Sequence, residues 1–315
     1  MKIYFVNDTS AYHAGCRAAV TALKRTITSG GHEIVHTTVR PLPPDMEAIR
    51  ECDAMVLSGE GSLHEEAKRF HDGRAGKLLR GLAEAKRLGK KAYLVNCLWY
   101  HMESHWHDVL ASLDGLAVRE ISSQEEMERT QGVKPEMYID ASYFCQIDSS
   151  KGSEKFAGRD VVGTFYYRNM KKDEAFTHKH SMFKGMIHLG LGGEAAEQEL
   201  SYRRRRINEK LRFGVKCPTR RVDWSYVVNS LKHANLYVTG QHHGVYAACR
   251  ARTPFVIFKV NTHKISGLFK WAGVDIPIAE TRQESAEAIE WARTHGEVYE
   301  RFFDWMEQQP AWPGI

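Results

Sequence analysis

The chain has 315 residues, 43% hydrophobic and 26% charged, which is the composition of a globular protein long enough for two domains. No apolar run approaches the ~20 residues of a membrane-spanning helix. The six cysteines stand singly without a CxxC pair, which argues against a disulfide or zinc framework. A formal charge of +5 is too small to imply nucleic-acid binding, yet it suits anionic ligands.

The N-terminus, MKIYFVNDTS, opens directly on a strand pattern and lacks the apolar core of a signal peptide, so a cytoplasmic location is expected. Residues 2–6 read as a buried strand, and 14–30 as a helix stopped by Gly30-Gly31. Next come a strand over 32–39, a short helix over 46–52 and a buried strand over 53–59 ending in glycine. Residues 74–89 form a strongly amphipathic helix and 91–97 another strand. After 105–115 follow a short strand, 116–120, a helix from Ser122 to Gln131, and a strand over 136–143. The polar, aperiodic stretch 146–158 reads as a linker. Beyond it the alternation resumes, with a strand at 160–168, a helix at 222–234, a strand at 235–240, a helix at 244–252 and a strand at 254–260. The tail, 281–308, is mostly helical.

Repeated strand–helix units predict an α/β protein with parallel, doubly wound sheets. The expected architecture is GT-B-like. A Rossmann-like acceptor-side domain spans 1–150, a Rossmann-like donor-binding domain spans 151–280 and faces it across a cleft, and a helical tail covers 281–315. Neither half carries GxGxxG, so a dinucleotide cofactor has no support.

Three loops follow strand ends in the first half. Loop 7–15 carries Asn7, Asp8 and His13. Loop 58–66 sets Glu60 between two glycines, followed by Ser62 and His64, and loop 96–107 offers Asn96 with aromatics and three histidines. Strand-terminal loops converge at the open edge of such a sheet, so these residues are expected to line one cleft with Arg119. A carboxylate on a tight turn suits a general base, which makes Glu60 and Asp8 the candidates. Asp8 also fits an Asx-turn or helix cap. No HExxH or closed ligand tetrad is present, so no metal site is expected.

In the second half, 238-VTGQHHGVYAACRARTPFVIF-258 places Gln241, His242 and His243 between a strand and a helix expected to start near Gly244. Helix N–H groups and the helix dipole favour a phosphate there, by ~0.3–1 kcal/mol per charge. Gln241, His242, His243, Gly244 and Lys264 are the expected donor-binding residues, with His243 also a catalytic candidate at the leaving phosphate, while His242 also fits a cap or packing role. The basic run Arg203, Arg204, Arg205 and Arg206, continued by Lys210, Arg212, Lys216, Arg220 and Arg221, is either a solvated helix face or a contact for a polyanion.

The ordered stretches 59-GEGSLHEE-66, 116-LAVREISSQEEMERTQG-132, 137-MYIDASYF-144 and 238–258, together with Lys264, resemble the polysaccharide pyruvyl transferase family over most of residues 1–275. The resemblance implies a GT-B transferase fold. Some members move a pyruvyl group from phosphoenolpyruvate onto a sugar, and relatives with the same domain act as glycosyltransferases. Arg119, Glu120 and Ser122 then fall on the family's Arg-Glu-x-x-Ser segment, Asp140 on its strand-ending Asp, and His243 and Lys264 on its anion-handling His and Lys.

The chain departs from that pattern at Gln241, which stands where the family has an arginine. A bidentate Arg suits a carboxylate and a phosphate far better than a neutral amide does. Losing one such contact, ~1.5–3 kcal/mol, weakens the donor roughly tenfold to a hundredfold. The reading from sequence is therefore a glycosyltransferase with a nucleotide-sugar donor and no other cofactor. Its acceptor is a saccharide or a hydroxymethylated base in DNA. Pyruvyl transfer, with Arg168 or Arg119 replacing the missing arginine, is the alternative, and a non-catalytic nucleotide- or glycan-binding protein is the third.

Overall fold

The computed structural model describes residues 1–40, 42–64, 73–102, 104–163, 185–192 and 222–315. The predicted basic run from Arg203 to Arg221, and Arg168, lie outside the described residues.

The first sheet contains β1 (Lys2–Asp8), β2 (Glu33–Val39), β3 (Ala54–Glu60), β4 (Lys91–Cys97), β5 (Gly115–Val118) and β6 (Glu136–Met137) in the order β2-β1-β3-β4-β5-β6. All neighbours pair in parallel. Its central strands are buried on both faces, as helices cover both sides: Ile3 to Val6 and Ala54 to Leu57 are inaccessible to solvent. α1 (Ala14–Ser29), α2 (Met46–Glu51), α3 (Arg74–Arg87), α4 (His107–Ala111) and α5 (Ile121–Gln131) connect the strands. The chain leaves β1 toward β2 on one side and returns to β3 on the other. The ends of β1 and β3 therefore frame the switch point where α/β sheets bind ligands.

The second sheet runs β11-β10-β9-β7-β8, again parallel, with β7 (Asp160–Val162), β8 (Ile187–His188), β9 (Leu236–Thr239), β10 (Phe255–Phe258) and β11 (Ile278–Ala279). Here the order reverses between β7 and β9, so the end of β9 is that sheet's switch point. α6 (Trp224–Leu231), α7 (His242–Ala251), α8 (Ser266–Ala272), α9 (Arg282–Thr294) and α10 (Gly296–Gln308) complete the described helices. Two Rossmann-like domains thus face one cleft. No helix among the described residues is long and apolar enough to cross a membrane.

Several sequence expectations are corrected. The strand predicted over 136–143 is only two residues long, because Asp140 caps a 3-10 turn at Ala141–Phe144 through the Ser142 N–H, 2.9 Å away. The tail is two helices broken at His295. Their apolar residues, among them Tyr299, Phe302, Phe303 and Met306, join the core of the second sheet, whereas Trp312 and Ile315 return to the core around β1. β8, α8 and β11 were not predicted; each is too short to show a period.

Candidate active site

The cleft is lined by strand ends that need an unusual backbone. Asn7, Glu60 and Asn96 lie within the last two residues of β1, β3 and β4, with φ of 66°, 46° and 51°. A non-glycine residue in that region is costly, and three side by side mark a site whose side chains are aimed by the backbone. On the opposite wall, α7 begins at His242, two residues earlier than predicted, with Gln241 as its N-cap. His242 and His243 therefore occupy the helix's first turn. Gly244 is required at its position, since a Cβ there would lie 2.5 Å from Thr239 Oγ1. Gly15 of α1 does the same between the domains: a Cβ on it would overlap the His243 side chain.

At the centre lies a buried charge cluster built from both domains. Arg119 Nη1, at the end of β5, is 2.5 Å from Asp140 Oδ2 and 3.4 Å from Glu60 Oε2. His243 Nε2 faces both carboxylates, 3.6 Å from Asp140 Oδ1 and 3.8 Å from Glu60 Oε2, and His242 Nε2 is 3.5 Å from Asp140 Oδ2. Thr9 donates to Glu60 Oε1 at 3.4 Å, and the Tyr246 hydroxyl lies 3.4 Å from the Asp140 N–H. All five charged or imidazole residues of the cluster are at most 5% exposed.

Burial in this company sets the protonation states. Burial, reinforced by the neighbouring Asp140 charge, raises Glu60 to about 7 although Arg119 opposes it. Burial also disfavours the Asp140 carboxylate. The imidazoles of His243 and His242 and the Arg119 cation nevertheless hold it well below the ordinary carboxylate range. Burial, helped by Arg119, takes His242 down to about 3, and burial takes His243 to about 3 against the pull of Asp140. Burial beside Arg119 lowers Lys264 to about 8, with Glu60, Cys16 and Asp140 pulling the other way. Near neutral pH the cluster therefore holds one fixed ion pair, two neutral imidazoles and one carboxyl group poised to exchange a proton.

The other predicted residues take more local roles. Asp8 accepts from the Ser10 N–H at 2.8 Å in an Asx-turn and from Lys24 Nζ at 2.7 Å. Despite partial burial, these bonds lower its pKa, which suits an ion-pair partner better than a base. Asn7 Nδ2 donates to Ser58 O at 2.6 Å and Ser62 Oγ at 3.1 Å, and Asn96 Oδ1 accepts from the Ala141 N–H at 3.1 Å. His13 caps α1, accepting from the Cys16 N–H at 3.3 Å, and its ring meets His243 edge-on at 5.1 Å. His64 pairs with Tyr100 in an isolated bridge. Lys264 Nζ donates to Asn261 Oδ1 at 3.1 Å. Ser123, four residues after Arg119, rather than Ser122, brings its hydroxyl onto Glu120, and that hydroxyl also accepts from the Trp99 N–H at 2.9 Å.

Sequence reasoning gave Asp140 no chemical role beyond the resemblance, and it passed over Thr9 and Cys16. The Asp shortly after β6, at the start of a 3-10 turn, was the available signal. Metal-ligating types also meet in space, against the expectation from spacing: His13, Cys16 and His243 form one group, and Glu60, Asp140 and His243 another. In the second group the Arg119 guanidinium already holds the cation's place between the carboxylates. In the first, His13 uses Nδ1 to cap α1.

Comparison with known proteins agrees with this architecture. The sequence profile of the polysaccharide pyruvyl transferase family matches residues 11–262. The chain belongs to that family. The match covers β1's loop through the α7–β10 unit and identifies a transferase-type enzyme. Among solved structures, the UDP-GlcNAc 2-epimerase of Methanocaldococcus jannaschii superposes with a TM-score of 0.56 at 11% identity, covering 96% of this chain and 99% of that one. MnaA of S. aureus, solved with UDP, gives 0.60 at 10% identity over 96% and 91%. The spinosyn rhamnosyltransferase SpnG, solved with thymidine diphosphate, gives 0.53 at 9% identity over 99% and 97%. At such identities the likeness is one of fold. No curated protein matches the sequence.

Proposed function

We propose that this family member transfers a sugar from a nucleotide-sugar donor to an acceptor hydroxyl. The observation that carries the reading is the state of the arginines. Gln241, where the family pattern has arginine, is a buried N-cap of α7. Arg119, one of the two residues offered as its replacement, is bound by Asp140 and Glu60 in buried ion pairs. A donor whose carboxylate needs a free guanidinium is poorly served there, whereas a nucleotide donor draws binding energy from its base and ribose as well. The nucleotide-diphosphate ligands of MnaA and SpnG fit the same reading.

In this mechanism the diphosphate lies at the start of α7, where a helix N-terminus favours an anion. His243 and Lys264 stabilise the leaving phosphate. Glu60, near 7, accepts the proton of the acceptor hydroxyl as the new bond forms. The acceptor is a saccharide or, given the basic run at Arg203 to Arg206, a hydroxymethylated DNA base.

The test is a thermal-shift panel of UDP-, GDP-, CMP- and dTDP-sugars against phosphoenolpyruvate. A ligand at a hundred times its Kd stabilises the fold by ~2.7 kcal/mol. A shift with one nucleotide series supports glycosyl transfer. A shift with phosphoenolpyruvate alone overturns it and restores the family's pyruvyl chemistry.

A further inference from the structure

The seam between α5 of the first domain and residues 261–272 of the second is built around one carboxylate that the reaction does not use. Glu120 is completely buried and caps α5, accepting from the N–H groups of Ser122 at 2.7 Å and Ser123 at 2.9 Å. Its other side meets the second domain. His263 Nδ1 lies 3.3 Å from Glu120 Oε1, and Gly267 packs so closely that any Cβ on it would overlap Glu120 Oε2. The second imidazole nitrogen, Nε2, lies 3.3 Å from Glu126 Oε2, further along α5. Tyr100 stands edge-on to the ring at 4.9 Å.

Both nitrogens of His263 thus face carboxylates. A neutral imidazole has one N–H donor and satisfies one of them, whereas the imidazolium satisfies both. The pair also occupies a telling place in the chain: Glu120 follows Arg119, and His263 precedes Lys264. Each domain contributes one of these cations, next in sequence to the contact between Glu120 and His263.

We propose that Glu120, His263 and Glu126 form a proton-dependent latch that holds the two domains closed and sets Arg119 against Lys264. Glu120 and His263 are then positioning residues, acting through their neighbours in the chain. Among the described residues, the charged groups around the latch are few. Glu126 also accepts from the His101 N–H at 2.5 Å, Lys270 bonds both oxygens of Glu125 at 2.7 Å on the exposed rim, and Lys264 lies next in sequence.

Burial by itself would lower the His263 pKa, but Glu120 and Glu126 reverse this and raise it to about 9. A free imidazole releases its proton near ~6.5. The stabilisation is therefore complete below that value and is lost as pH rises through about 9.

The experiment is small-angle scattering on the full chain from about pH 7 to about pH 10, with far-UV circular dichroism confirming the fold at each point. The wild type is expected to expand in one step, with a midpoint between the free imidazole's ~6.5 and about 9. His263→Gln is open throughout, and His263→Lys moves the midpoint up toward lysine's ~10.4. Glu126→Gln, which preserves shape, lowers it. Lys264→Met leaves the midpoint where it is. A radius of gyration constant over the range overturns the latch. So does a His263→Gln protein that titrates like the wild type, or a transition that disappears with Lys264→Met.

Discussion

Replacing Arg119 with methionine is the sharpest perturbation of the cluster. The guanidinium is 1% exposed and lies 2.5 Å from Asp140 and 3.4 Å from Glu60, so methionine leaves two carboxylates in a buried site without their cation. Breaking a buried pair by removing one partner costs ~3–5 kcal/mol, because the remaining charge is uncompensated. With an unfolding entropy of ~2.1 cal/mol/K per residue over a chain of this length, that is a fall in Tm of roughly 5–8 °C. The pH dependence identifies the cause. Asp140 has a depressed pKa in the wild type, so its contribution is present above the unfolded carboxylate value of ~3.9 and is lost on acidification. Without Arg119 both carboxylates rise, and the folded protein takes up protons that the unfolded chain does not. The deficit should be greatest at about pH 8 and shrink toward about pH 5. Thermal denaturation by circular dichroism at both values measures it. A loss below about 1 kcal/mol, or one that does not change with pH, would refute the picture of two carboxylates neutralised by one cation.

Two further outcomes follow from the same geometry. Glu60 has a folded pKa of about 7 against an ordinary 4.5, so the folded state binds the extra proton between these values and its stability declines as pH rises through them. Glu60→Gln should flatten that slope in a Tm-versus-pH series and lower turnover by ~10²–10⁴, and unchanged turnover would remove Glu60 from the role of base. Gly15→Ala puts a methyl group into the His243 side chain across the cleft. It should cost ~1–3 kcal/mol of stability and weaken nucleotide binding in a calorimetric titration, whereas a neutral effect would mean that α1 and α7 sit less tightly than described.

The sequence by itself determined the alternation of elements, the two parallel sheets and the strand ends that carry the candidate residues. These are local matters. Apolar runs such as 54-AMVL-57 and 92-AYLV-95 have one stable use, as strands buried on both faces. Elements with no period were not legible: α8 and β11 are held by packing, and the start of α7 was misplaced because His242 and His243 carry no helical signal.

Only the tertiary structure decided which polar residues share one site. Asp8 and Glu60 look alike on the page, each on a polar loop after a buried strand. One meets Lys24 on its own domain's helix, while the other is enclosed by Arg119, Asp140 and His243, residues 59 to 183 positions away in the chain. A pKa near 7 comes from that enclosure, because desolvation and the fields of neighbouring charges act through space. Glu120 and His263 make the same point: 143 positions apart in the chain, they meet because two domains close on each other. Sequence separation carries no information about such a contact until the fold has brought its partners together.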